Sequence, residues 1–132
     1  MNVLILYQDD RKDADAVAKR LSEAGHAAKC EKAAAVLKET ARVVEPAEVV
    51  MVFAETYKEK ETYSVCERLR EVYMLRNTPL LVAVNMYQMP LANRVKEMPN
   101  AHFIFTPIDT GDLGRRLSML TGKTDEKEDQ KR

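Results

Sequence analysis

Five short apolar runs alternate with segments of helical period along the chain. The runs are Val3 to Tyr7, a weaker one at Ala27 to Cys30, Val49 to Ala54, Leu80 to Val84 and His102 to Phe105. Polar residues bound them and they lack strict alternation, the pattern of strands covered on both faces. Between them, Val17 with Leu21, Val36 with Leu37, Val65 with Leu69 and Val72, Leu91 with Val95, and Leu113 with Leu117 and Leu120 supply the apolar stripes of five helices. Alternating strand and helix implies a parallel sheet with right-handed crossovers. The simplest such architecture is a doubly wound, five-stranded, three-layer α/β/α fold of the flavodoxin-like kind.

Punctuation places the boundaries. Gly25 closes the first helix, Pro79 opens the fourth strand and Pro90 suits the first turn of the helix that follows it. Asp109 or Thr110 can cap the last helix through a side-chain oxygen. Residues 1–122 read as one domain. Residues 123–132, KTDEKEDQKR, carry four positive and four negative charges and nothing to bury, so they read as a disordered tail.

Charge narrows the function classes. Lys plus Arg and Asp plus Glu both number 21 in 132 residues, so no net field gathers nucleic acid or anionic lipid. The two cysteines, Cys30 and Cys66, have no zinc or CxxC spacing, and the amino terminus does not read as a signal peptide. A reduced, cytoplasmic protein, acting on neither nucleic acid nor membrane, is expected. No Gly-rich phosphate loop or nucleophile elbow is present, and His26 and His102 are isolated. No catalytic residue is assigned, and the chain is expected not to be an enzyme.

The chemistry that does stand out is Asp9-Asp10, directly after the first strand. In an open parallel sheet, ligands bind beyond the carboxyl ends of the strands where strand order reverses. Two carboxylates there could hold a divalent cation such as magnesium, weakly, since a third oxygen ligand is wanted. Equally, one of them can simply cap the following helix.

The Asp9-Asp10 pair, the RLR at 68–70 and FIFTPIDTGDL at 103–113 resemble a response-regulator receiver domain, over about residues 2–121. In that family, an acidic pair binds magnesium and an aspartate ending the third strand accepts a phosphoryl group from a histidine kinase. A Thr or Ser ending the fourth strand and a Lys before Pro ending the fifth contact that group, and an aromatic three positions before the Lys reports the state. Gapless spacing puts Ala54 at the acceptor, Val84 at the hydroxyl and Thr106 at the lysine, whereas Pro107 and Phe103 match the proline and the aromatic. The resemblance is therefore to a receiver lacking its acceptor. Glu55 beside it either points to solvent or, turned inward by a bulge, sets a third carboxylate near the aspartates, where without a lysine it would repel them or recruit a cation.

The function implied is a phosphorylation-independent signalling module, of the bacterial two-component type, working through protein–protein contact. Its expected surface combines the helix at Leu91, the last strand and the last helix, carrying Tyr87, Met89, Arg94 and Arg115, a mixture enriched at interfaces. A homodimer through that face is one form such contact would take. A second resemblance, of ILYQDDRKDADAVAKRLSEAG and ETYKEKETYSVCERLREVY to a TIR domain, implies an adaptor or an NAD-cleaving enzyme with Glu67 or Glu71 as its acid.

Overall fold

Val49 to Phe53 and Leu80 to Val84 are buried along their whole length, as the central strands of a sheet covered on both faces must be. The computed structural model describes residues 1–34, 47–71 and 78–121. In chain order these form β1 (Asn2–Tyr7), α1 (Lys12–Glu23), β2 (Ala27–Lys32), β3 (Val49–Phe53), α2 (Glu59–Glu71), β4 (Leu80–Val84), a 3-10 turn (Met86–Gln88) leading into α3 (Met89–Val95), β5 (Ala101–Phe105) and α4 (Thr110–Thr121). The sheet is five-stranded in the order β2-β1-β3-β4-β5, and every pairing is parallel. This is the flavodoxin-like α/β fold. The stripes at Val36 and Leu37, residue Val72 and the tail at 123–132 lie outside the described residues.

Alternation along the central strands divides the core in two. Val50, Val52, Leu80, Val82 and Val84 meet Val65, Cys66 and Leu69 of α2 and Leu91, Ala92 and Val95 of α3. Val49, Met51, Phe53, Leu81 and Ala83 face the other way, onto Val17 and Leu21 of α1 and Leu113 and Leu117 of α4. Each fully buried aliphatic side chain contributes about 1.5–3 kcal/mol by leaving water. The two layers together hold the strand ends in place.

Coverage on both faces is confined to the inner strands. β2 and β5 are edges, and their exposed positions include Lys32, His102 and Phe105. β2 runs two residues beyond the expected Cys30, through Glu31 and Lys32, because parallel pairing continues to Tyr7↔Lys32. Charged side chains on an edge discourage pairing with another sheet. β3 stops one residue short of the expected Ala54, whose amide still donates to the Ala83 carbonyl at 2.9 Å.

Local signals act where the chain chemistry required. Gly25 has φ +92°, the left-handed conformation that ends a helix, and Pro90 stands in the first turn of α3. Asp109 Oδ1 accepts the amides of Gly111 at 2.8 Å and Asp112 at 3.2 Å, satisfying two orphan donors of α4. Within the RLR stretch, Leu69 is core and Arg70 donates to the carbonyls of Thr78 at 2.6 Å and Pro99 at 3.2 Å, tying α2 to the segments that enter β4 and β5. No helix among the described residues is long and apolar enough to cross a membrane.

Candidate functional site

β1 and β3 lie side by side, while the chain leaves β1 for β2 on one side and resumes at β3 on the other. Their carboxyl ends therefore flank the switch point of the sheet. Glu55, two residues past β3, turns inward there. Its Oε2 accepts the amides of Gln8 at 2.6 Å and Asp9 at 2.8 Å, and its Oε1 that of Asp10 at 3.2 Å. Three successive backbone N–H groups form an anion-binding concavity, and this chain's own carboxylate occupies it. The solvent-facing alternative for Glu55 is thereby overturned. Backbone donors receive its charge, a solution the sequence-based choice between repulsion and a cation did not include.

The turn behind Glu55 makes this orientation available. Lys58 N–H closes back on the Glu55 carbonyl at 3.0 Å, with Tyr57 between them at φ +66°. A left-handed aromatic residue is an uncommon conformation whose strain must be held by its surroundings. Glu55 and Lys58 hold this one, from either side.

Lys58 reaches Asp9, Nζ to Oδ2 at 2.6 Å, and Lys32 stands 3.9 Å from the other oxygen. The hydrogen bond and the charge of Lys58 hold the Asp9 carboxyl below its usual value and raise Lys58 in turn. Asp10 instead accepts the amide of Lys12, two residues on, at 2.9 Å, which closes the turn into α1, while the N-cap position itself is Arg11 and carries no side-chain cap bond, contrary to the expected aspartate cap. Its neighbour Arg11 pairs with Asp15 at 2.9 Å. Among the described residues, no three acidic, His or Cys side chains gather as a metal would need. The acidic residues at the strand ends thus meet ammonium and amide donors, so they do not fit the magnesium site that the acidic pair suggested.

Behind these loops runs a polar network. Thr62, fully buried in α2, donates to the Lys58 carbonyl at 2.9 Å and accepts from the Gln8 side-chain amide. Gln88, 2% exposed, accepts the Asn85 amide at 2.9 Å and directs its own amide at the Ala54 carbonyl, the Glu55 carbonyl and Glu59 Oε1 at 3.3–3.4 Å. Asn85 Oδ1 in turn accepts Tyr87 N–H at 2.8 Å, completing a reciprocal cap on the 3-10 turn. Ends of β1, β3 and β4 are thereby cross-linked through Gln8, Glu55, Thr62 and Gln88. Lys58, Gln8, Thr62 and Gln88 were missed by sequence reasoning. Only the Asn85-x-x-Gln88 spacing offered a local signal.

The remaining positions of the pocket are chemically quiet. Ala54 is half-buried, Val84 is fully buried in the α2–α3 layer, and Thr106 bonds through its amide to the Val84 carbonyl at 2.8 Å. Thr106 and Pro107, joined by a cis peptide bond, line an open groove of about 390 Å³ with Phe53 and Val17. Ala54, Val84, Thr106 and Pro107 supply neither a cation nor an anionic nucleophile, and the charged groups lining the groove are Arg20 and Asp13 of α1.

Phe103 is half-buried against the α2–α3 layer and meets Phe105 edge to face, with centroids 5.4 Å apart. Arg116 donates to its carbonyl at 3.2 Å. Of the expected contact residues, Tyr87 is 95% exposed and Met89 38% exposed, with Met86 beside them at 75%. Arg115 is exposed and ion-paired with Asp112 at 3.7 Å. Arg94 stacks over the Tyr63 ring at 3.8 Å, so it belongs to the α2–α3 seam and not to the face shared by α3, β5 and α4. Cys66 is buried and its thiol is pushed up to about 12 by desolvation, the behaviour of a small core residue. Glu67 and Glu71 lie exposed on α2, Glu71 paired with Arg68 at 3.3 Å, and no feature of their surroundings favours the TIR-like alternative.

No protein-family model matches the sequence, and no curated protein matches it. Solved structures do match the fold. The signal receiver domain of a signal transduction histidine kinase from Syntrophus aciditrophicus superposes with a TM-score of 0.72 at 15% identity, covering 92% of this chain and 91% of that one. Vibrio cholerae chemotaxis protein CheY4 gives 0.74 at 13% identity, with 91% and 98% covered. The receiver domain of sensor histidine kinase PA1611 from Pseudomonas aeruginosa PAO1, with a magnesium ion coordinated in its active-site cleft, gives 0.71 at 12% identity, with 91% and 97% covered. At these identities the likeness is one of fold, and by fold this chain is similar to response-regulator receiver domains over nine-tenths of its length.

Proposed function

We propose that the protein is a receiver-like regulatory module of two-component signalling that acts through protein–protein contact and requires no phosphorylation. The observation that carries this reading is the end of β3, where Ala54 offers no nucleophile and the adjacent Glu55 carboxylate is spent on the amides of residues 8–10. Phosphoryl transfer requires an in-line nucleophile and compensation of the charge on the transferred group. Val84 and Thr106 supply neither a coupling hydroxyl nor a cation at the positions matched to them. The loops are instead cross-linked internally, which favours one arrangement over a two-state equilibrium.

The output surface in this reading is the face of α3, β5 and α4 together with the 3-10 turn, where Met86, Tyr87, Met89 and Phe105 stand exposed. Aromatic and Met groups of this kind are enriched at protein interfaces. The test is incubation with acetyl phosphate, or with beryllofluoride, plus magnesium. Intact mass and the amide NMR spectrum are expected to be unchanged. A covalent adduct within residues 53–55 would overturn the proposal.

A further inference from the structure

We infer that Lys58 is a tethered counter-cation: its ammonium takes the place on Asp9 that a divalent ion would take, and so makes the acidic end of β1 refractory to metal. The inference deepens the reading above and rests on it for the expectation that a metal would otherwise sit there. Its physical basis is the contact itself. Lys58 Nζ lies 2.6 Å from Asp9 Oδ2, a close charge-assisted contact, and Lys32 adds a second positive charge at 3.9 Å. A divalent ion on Asp9 would have to displace one ammonium and sit against the other, at a repulsive cost that the remaining oxygen of Asp10 offsets only in part.

The other acidic groups are engaged in ways that reinforce this exclusion. Glu55, the third carboxylate within reach of the loop, is held by three amides, and one oxygen of Asp10 by the Lys12 amide. An incoming ion would gain only water and the free oxygens of two aspartates. Lys58 owes its position to the turn that Glu55 begins, with Tyr57 left-handed between them and the Lys58 carbonyl accepting from Thr62. The same turn therefore delivers an anion to the amides of β1 and a cation to its aspartate. Both are covalently attached, so the chain itself keeps an anion and a cation at the end of β1.

The experiment is a manganese(II) titration of the full chain, read as paramagnetic broadening of the Asp9 and Asp10 amide resonances, in wild type, Lys58→Ala and Lys58→Arg. Lys58 is partly exposed and its side chain is not part of the core, so the amide spectrum of each variant serves as its own check of folding. Wild type and Lys58→Arg are expected to show no broadening localised to Asp9 and Asp10 at concentrations where Lys58→Ala does. The half-broadening concentration should fall by about tenfold or more on removing the charge. Equal behaviour of wild type and Lys58→Ala, whether both bind or neither does, would overturn the inference. Metal binding by wild type without any adduct from acetyl phosphate would defeat this inference alone, whereas an adduct at residues 53–55 would defeat the functional reading.

Discussion

At the scale of single residues, the site is governed by three neighbours of opposite demand: Glu55, Tyr57 and Lys58. Tyr57 is 94% exposed at φ +66°, so it keeps its strain without burying its ring in return. Left-handed backbone costs an L-residue about 1–2 kcal/mol and glycine much less. Tyr57→Gly is therefore expected to raise stability by about 0.5–1 kcal/mol in urea unfolding, after glycine's greater entropy loss is allowed for. Destabilisation would show that the ring contributes a contact. The Asp9–Lys58 pair predicts a pH dependence of definite sign. Asp9 is held below its ordinary 3.8 in the folded chain, so the unfolded chain binds more protons in that window and stability rises with pH through it. The contribution is present above the ordinary value and lost as pH falls through the folded one. Unfolding curves of wild type and Lys58→Met should differ by a small, salt-sensitive amount above about pH 5 and converge in acid.

At the scale of elements, the carboxyl ends of β1, β3 and β4 are tied together by side chains from the turns that leave them. Gln88 is the most consequential, because it is buried and pairs with the Asn85 amide as well as the Ala54 carbonyl. Gln88→Ala would leave those groups unsatisfied, and a loss of about 1–3 kcal/mol is expected by urea unfolding. Gln88→Glu retains an acceptor for Asn85 but turns a donor into a charge beside two carbonyls, and should be no better tolerated. Hydrogen exchange should locate the damage at Ala54 and in the 3-10 turn while leaving α1 and β2 protected.

At the scale of the whole molecule, four of the exposed apolar groups, Met86, Tyr87, Met89 and Phe105, belong to the 3-10 turn, the start of α3 and the edge strand β5, while Tyr57 and Met119 stand elsewhere. Self-association through this face is the direct solution test of the proposed output surface. Light scattering after size-exclusion chromatography is expected to give a dimer for wild type and a monomer for Tyr87→Glu, which sets an unpaired charge in a desolvated contact. Because Tyr87 is almost wholly exposed, the substitution should leave the unfolding midpoint of the monomer unchanged. Arg94→Ala should weaken the α2–α3 seam through Tyr63 and leave assembly unaffected.

What the sequence by itself determined is the layered architecture. Runs such as Val49 to Phe53 and stripes such as Leu113 with Leu117 record burial, and burial follows a period that reads along one chain. Asp109 as a cap and Gly25 as a helix stop were legible for the same reason, since each acts on residues within four positions of itself. Only the tertiary structure decided where Glu55, Lys58 and Arg94 direct their charges. Glu55 meets amides more than forty residues away and Lys58 an aspartate equally distant, through a turn whose left-handed Tyr57 has no signature in composition. Long polar side chains have several rotamers of similar energy, and the choice among them is made by partners that only the folded sheet brings within reach.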